Sequence, residues 1–437
     1  MKKTAWLLAL GVFLAWQGMS MATTTVDALV QKLVEKGILT NQEATQIKGE
    51  ISSDEEKAQK ASFKSQLPGW VSNIKVGGDF RLRDQWEKKQ VNGSTNYARN
   101  RVRIRARVNF EDQINDKVKA IIGIATDGGS ARSNNETLGG NSSSLDDFGK
   151  AGVTLNKAYA IYTPNAYVTL KGGKMDNPLW EPGTMLWDPD ITPEGGSIEL
   201  QKKLNNYATA FSTDTVFVLH DSAPSSITRT NPYMLALQGG IRGDLTEKIY
   251  YKTAATWYDI NNPSHIMFTN NSGTNTPGAI TGGTGLAYNY RAIVGAAELG
   301  MNDPFGELLP PSIYIPQAGV FGEYANNPSL SKNNSAWMMG AYMGNPSING
   351  WGTWKLKSFY KVVERDSWLD SILSDDFYGG DSSAAGWQNE IDIGLAKNVY
   401  LTVMYYHTHV YKPFSSVAAL AQKAPQDLVQ TDINFNF

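Results

Sequence analysis

The chain has 437 residues, 41% of them hydrophobic and 19% charged, with a formal net charge of −2 and no cysteine. Near-neutral charge gives no bulk attraction toward nucleic acid, and the lack of cysteine excludes disulfides and thiolate metal sites. There is ample chain for a large domain, and its charge is patterned instead of being in excess.

Lys2 and Lys3 make a basic start, followed by an apolar run from Trp6 to Trp16. Ser20-Met21-Ala22 then reads as a small-x-small cleavage site. Residues 1–22 are therefore predicted to be a secretory signal peptide. The run falls short of the roughly 20 residues a spanning helix needs. No later segment is an unbroken apolar stretch of that length. A membrane protein made from this chain must then be a barrel, because only helices and closed barrels satisfy their backbones in lipid.

Residues 23–69 carry a different pattern. Val26, Leu29, Val30, Leu33 and Val34 recur at helical spacing, and Gly37 is a helix stop. Thr40 with Glu43 is a capping-box signature, and Ala44, Ile47 and Ile51 continue an apolar face. The expectation is a short periplasmic helical segment of coiled-coil character, leading by a linker into a barrel over 70–437.

From Ile74 the period changes to two. Ile74, Val76, Phe80 and Leu82 alternate with Lys75, Asp79, Arg81 and Arg83. Residues 86–98 read as a polar gap. Then Arg99, Arg101, Arg103, Arg105 and Arg107 occupy every second position, with Val102, Ile104, Ala106 and Val108 between them. As a strand, this stretch has one apolar face and one face of guanidinium groups. A membrane barrel accounts for both, with lipid outside and a wet lumen inside; an outward Arg costs roughly 2–4 kcal/mol near the bilayer midplane.

Further strands are predicted near Lys117–Asp127, Leu155–Thr163, Tyr167–Met175, Ser197–Leu204, Tyr207–His220, Tyr233–Arg242 and Ile249–Asp259. The remainder lie near Leu286–Leu299, Ser312–Ala325, Trp337–Gly344, Trp351–Arg365, Trp387–Ala396, Val399–Tyr411 and Leu428–Phe437. Short connections such as Asn205-Asn206 and Lys397-Asn398 alternate with long polar ones such as 260–285 and 366–385. That alternation belongs to an outer-membrane barrel. The fold class expected is all-β, a transmembrane antiparallel barrel of about 16 strands. The long stretch at 300–311 and the break at Pro316 leave 14 or 18 open. Trp257, Tyr258, Tyr288, Tyr290, Trp351 and Trp354 lie near strand ends, where interfacial girdles form.

Gly77–Arg83, the arginine strand, Gly173-Lys174-Met175-Asp176-Asn177-Pro178 and Leu186–Gly195 resemble the putative porin family of Gram-negative outer membranes. The N-terminal helical pattern is similar to the N-terminal segments of that family, and the terminal Phe437 resembles the C-terminal aromatic that serves barrels as an assembly signal. The resemblance implies a sixteen-strand-type channel in the cell outer membrane, a homotrimer, and a third loop folded into the pore. It names no solute.

The third long connection, 177–196, suits a constriction. Trp180 and Trp187 are expected to pack it on the wall, and Pro178, Pro182, Pro189 and Pro193 stiffen it. Asp188, Asp190 and Glu194 would then set carboxylates opposite Arg81, Arg83 and the arginine strand. Opposed charges across a narrow passage create a transverse field that sets selectivity. The arginines offer a track to anions, since guanidinium binds carboxylate and phosphate bidentately. Equally, they can pair with luminal acids such as Asp79, Glu390 and Asp392 and hold the wall. Lys355, Lys357 and Lys361 share one face of another strand and offer a second basic wall.

The expected function is passive diffusion of small hydrophilic solutes, with a possible preference for anions, and with lipid and two further copies of the chain as partners. No cofactor, metal or nucleic acid enters this expectation. The alternatives are an outer-membrane hydrolase using His407 and His409, which share one strand face, and a barrel that anchors the envelope.

Overall fold

In the computed structural model, the described residues are Lys32, Lys36, 73–91, 94–140, 148–221, 231–266, 273–277, 285–308, 314–414 and 424–437. The signal peptide and the helical segment predicted before residue 70 lie outside them, apart from the two lysines. The barrel occupies the unit Ile74–Phe437.

Its strands are β1 (Ile74–Val91), β2 (Ser94–Asn115), β3 (Val118–Thr126), β4 (Glu136–Thr137), β5 (Val153–Asn165) and β6 (Val168–Lys174). They continue as β7 (Glu194–Lys203), β8 (Thr209–Val218), β9 (Tyr233–Asp244), β10 (Ile249–Ile260), β11 (Ile293–Asn302) and β12 (Gln317–Asn326). The last are β13 (Ser335–Gly344), β14 (Trp354–Val363), β15 (Ala384–Ala396), β16 (Val399–Val410) and β17 (Pro425–Asn436). Each strand is antiparallel to its neighbour, and β1 pairs with both β2 and β17, which closes the ring. The two-residue β4 is a loop segment laid against β2 at Arg103 and Ile104. Among the described residues the wall is therefore a closed sixteen-strand antiparallel barrel, and no sheet edge is left open within the membrane.

Period-two alternation decides which residues face where. On β1, Phe80, Leu82 and Trp86 are exposed on the outer surface while Arg81, Arg83, Gln85 and Glu87 are buried inward. On β2, Val102 is exposed and Arg103 and Arg105 are buried. On β17, Ile433 and Phe435 are exposed, and Gln430, Asp432 and Asn434 are buried. Apolar-out and polar-in is the arrangement that lipid on one side and water on the other demand.

Two sequence expectations need correction. In the polar gap at 86–98, residues 86–91 and 94–98 are strand: β1 and β2 pair in a register that runs from Ile74 opposite Asp112 to Val91 opposite Ser94. Polar composition misled because polar side chains here also face inward and are buried, as Glu87 is opposite Arg99. The connection 366–385, read as a polar outer loop, instead turns inward as residues 364–383. Trp368, Leu369, Ile372, Leu373, Phe377 and Tyr378 are buried there. Boundaries also shift: the strand read from Leu286 begins at Ile293, and the one read from Ser312 begins at Gln317, just after Pro316.

Candidate functional site: a divided lumen

The loop 175–193 leaves the wall between β6 and β7. Gly173 and Gly195 face one another in register at its base, with φ of 128° and 152°. A Cβ on Gly173 would lie 2.2 Å from the Ala158 carbonyl oxygen, and one on Gly195 2.0 Å from that of Val216. Only glycine allows the chain to turn inward so close to both neighbouring strands.

From there the loop crosses the barrel. The Trp180 amide donates to Gln238 Oε1 at 2.9 Å, and Gln238 Nε2 donates back to the Trp180 carbonyl at 2.9 Å. On β14, Lys357 Nζ donates to the Pro182 carbonyl at 3.2 Å and Lys361 Nζ to the Thr184 carbonyl at 2.9 Å. Both lysines thus hold the loop backbone. Trp187 is buried, donates to the Tyr258 hydroxyl at 3.3 Å and meets Phe217 edge-on at 5.7 Å. With Leu179, Met185 and Leu186 it packs on Phe217, Met234, Val294, Phe321, Met338 and Phe359 of the wall.

The second inward loop, 364–383, completes this apolar mass. Trp368 is fully buried, 4.6 Å from the Tyr258 ring and 6.4 Å from that of Trp187. Asp370 Oδ2 accepts the Thr274 and Asn275 amides at 2.7 and 3.2 Å, and Asp366 accepts the Thr276 amide at 2.8 Å. The two loops join where the Asp188 amide donates to the Ile372 carbonyl at 2.8 Å and the Asp375 amide to Asp188 Oδ2 at 3.1 Å. The spacing Trp368, Leu369, Ile372, Leu373 was the sequence signal for this second loop, and its polar neighbours concealed it.

The opposite side of the lumen is polar and holds a cavity of about 340 Å³. Among the described residues its lining includes five arginines, Arg81, Arg83, Arg105, Arg107 and Arg132, and five acids, Asp188, Asp190, Asp375, Asp376 and Glu390. The ladder register sets Asp79 opposite Arg107, Arg81 opposite Arg105, and Arg83 opposite Arg103. Asp79 accepts from Arg105 Nη2 at 2.8 Å and from Arg107 Nε at 2.7 Å. Asp190, near the end of the crossing loop, lies 3.4 Å from Nη1 of both Arg105 and Arg107. Arg83 is bidentate to Asp432, at 2.7 and 2.8 Å, with Asp376 at 3.6 Å. Arg81 donates to Asn135 at 2.5 Å and lies 3.6 Å from Asp432. Arg103 is bonded to the Asn135 carbonyl at 3.0 Å and to Gln85 at 3.3 Å.

The predicted site residues are thus distributed as follows. Arg81, Arg83, Arg103, Arg105 and Arg107 come together with Asp190 and Asp188 around the cavity or beside it. Asp188 braces the loops, accepting the amides of Asp190 and Asp375. Arg101 lies 3.9 Å from Glu87, and Arg99 is exposed opposite Glu87 in the register. Glu194 is not brought to the cluster; it opens β7 and pairs with Lys174 at 2.9 Å. Trp180 and Trp187 both lie in the crossing loop, Trp187 in the apolar mass and Trp180 under the Lys252 ammonium at 4.5 Å. Asp79, Asp376 and Asp432 were not among the predicted selectivity residues. The alternation on β1 and β17 carried the signal for Asp79 and Asp432.

Two acids where the inward loops meet hold their protons more tightly than ordinary carboxylates. Burial, with Asp376 beside it, pushes Asp375 up to about 7. Burial, then Asp375 and Asp190, pushes Asp188 well above the usual carboxylate range. His407 and His409 alternate with buried Tyr406 and Thr408 and so face away from the lumen; His407 Nδ1 is 2.7 Å from Asp427 Oδ1. Among the described residues no group of three or more His, Cys, Asp or Glu is placed to hold a metal.

Residues 89–277 and 284–437 match the family described as putative porin. A closed barrel with polar side chains inside, apolar ones outside and a loop across its bore is the architecture of a membrane channel. The chain belongs to that porin family, and it is an outer-membrane porin. Among solved structures it is similar to a triple mutant of Rhodopseudomonas blastica porin, at 11% identity and a TM-score of 0.42, over 83% of this chain and 100% of that one. Another mutant of the same porin has 12% identity and a TM-score of 0.44, with the same coverage. The outer membrane channel DcaP of Acinetobacter baumannii has 11% identity and a TM-score of 0.43, over 83% of this chain and 97% of that one. No curated protein matches the chain.

Proposed function

We propose that the chain is a passive, anion-preferring diffusion channel whose selectivity is set where Asp190 meets Arg105 and Arg107. That contact carries the reading: a loop acid 3.4 Å from two wall arginines sets opposite charges together inside the lumen. The cavity there is lined by as many acids as arginines among the described residues. Asp375 and Asp188 hold protons more tightly than ordinary carboxylates, which supports a positive balance at neutral pH. Arg81, Arg83 and Arg103 extend the positive wall, and Arg99 and Arg101 continue it toward the outer end of β2.

Residues 1–22 act as the export signal in this reading, and 23–69 form a periplasmic segment of coiled-coil character. A homotrimer in lipid suits the family and the exposed apolar outer face. The test is the reversal potential in planar bilayers under a dilute KCl gradient, because screening at about 1 M shortens the Debye length to about 3 Å. Wild type is expected to prefer chloride, and Arg103→Ala with Arg105→Ala to lose much of that preference. A cation-selective wild type, or no change on substitution, rejects the anion reading; absence of stepwise conductance rejects the channel.

A further inference from the structure

The arginine cluster is rich in positive charge, but its guanidinium groups are largely occupied by Asp79, Asp190, Asp376 and Asp432. Two other luminal cations are not. Lys252 on β10 and Arg242 on β9 are direct register partners. Like charges directly opposite on one face of a sheet repel. Neither forms an ion pair within 4 Å among the described residues. Arg242 Nη2 donates only to the neutral Gln201 Oε1, at 2.9 Å.

The nearby acids lie beyond ion-pair distance of both cations. Glu298 is the partner of Lys252 on β11, but its Oε1 accepts the Tyr342 hydroxyl at 2.6 Å. Glu199, which borders a cavity together with both cations, pairs with Lys171 at 2.5 Å. The Lys252 ammonium lies instead over two rings, 4.5 Å from the centroid of Trp180 and 5.1 Å from that of Phe211. Cation–π contact holds it in place without neutralising it.

Lys252, Arg242, Trp180 and Phe211 together border a cavity of about 200 Å³. Lys252 follows the start of β10 closely, so the cavity lies toward the short-turn end of the barrel, away from the arginine cluster. A largely polar pocket where two cations converge beside the rings of Trp180 and Phe211, with the Glu199 carboxylate also on its border, fits a small anion carrying one apolar body.

We propose that this cavity is a second solute subsite, which takes a small monocarboxylate with a flat apolar body. The carboxylate sits between Lys252 and Arg242, relieving their repulsion, and the apolar part lies against the free ring surfaces of Trp180 and Phe211. The crossing loop supplies Trp180, so one loop carries both the constriction acid Asp190 and a wall of this subsite. The inference does not depend on the charge preference of the constriction.

The test is equilibrium binding of benzoate, with acetate for comparison, to the detergent-solubilised full chain by calorimetry. Folding of each variant is checked by heat-modifiable gel mobility. Benzoate is expected to bind more tightly than acetate, and Lys252→Met and Arg242→Gln each to weaken it by about tenfold, the scale of one charge-assisted contact. Trp180→Ala is expected to narrow the gap between benzoate and acetate. Equal affinity for the two acids overturns the proposal, as does benzoate binding that survives both cation substitutions. Loss of benzoate binding on Arg105→Gln alone would place the acid at the constriction and overturn it too. Because binding is read without current, a protein that binds benzoate and conducts nothing would reject the channel and leave the subsite standing.

Discussion

One lumen contains two differently built halves. Against β8 to β14 the bore is filled by Trp187, Trp368, Leu186 and Met185 packed on Phe217, Tyr258, Phe321 and Phe359. Against β1, β2 and β17 it is lined by arginines and acids in contact with one another, and the cavity lies there. A sixteen-strand barrel is too wide for its own wall side chains to fill. Two inward loops plug the apolar half as a domain core is plugged, by close packing of large side chains. The charged half stays open because buried ion pairs need water or further hydrogen bonds to offset desolvation. Pore width is therefore expected to follow the apolar half, and pore charge the other half.

Removing a large side chain from each half separates these roles. Trp368→Ala empties a fully buried site beneath both loops and is expected to cost roughly 3–5 kcal/mol. It should lower the temperature at which heat-modifiable mobility is lost and raise single-channel conductance, with ion preference little changed. If conductance and melting are both unchanged, the packed half does not set the width.

Much of this division was legible in the chain before folding, though unevenly. The arginine strand announced a lumen face because a period of two leaves no other place for five charges. Trp187 and the four prolines marked an inward loop. The pairing of Asp79 with Arg105 and Arg107 was visible only as one option among several, because register depends on hairpin length, and the 86–98 stretch was misread as a gap. The loop 364–383 was missed for another reason. Asp366, Asp370, Ser371 and Ser374 made it look solvated, yet Asp366 and Asp370 cap backbone amides of 274–276 inside the bore. Polar residues that satisfy another segment's backbone look, in sequence, like polar residues that meet water.

The junction of the halves gives a pH-dependent prediction. Asp375 faces Asp188, Asp190 and Asp376 as well as Arg132 and Arg103, and its proton is held up to about pH 7. A carboxyl with a raised affinity in the folded state stabilises the closed loops when protonated, at acid pH. That contribution is lost as pH rises through about 7. Ionisation also adds negative charge beside the arginines. Anion preference, read as reversal potential, is therefore expected to fall and current noise to rise as pH increases through neutrality. Asp375→Asn should flatten both trends. An unchanged profile in that variant would assign the titration elsewhere.

The smallest expected effect bears on where the charged half ends. Glu194 stood with Asp188 and Asp190 as a selectivity acid in the sequence, but it sits on the wall at the start of β7, exposed and paired with Lys174. An exposed pair of this kind contributes at most about 1 kcal/mol. Glu194→Gln is therefore expected to leave melting within about 0.5 kcal/mol of wild type and the reversal potential unmoved. Asp190→Asn, which removes the loop carboxylate from two arginines and leaves them Asp79 alone, should shift the potential further toward chloride. If Glu194→Gln shifts the potential as much as Asp190→Asn, the charged half extends to the foot of the crossing loop. The selective passage would then be the loop's whole length, and not its contact with Arg105 and Arg107.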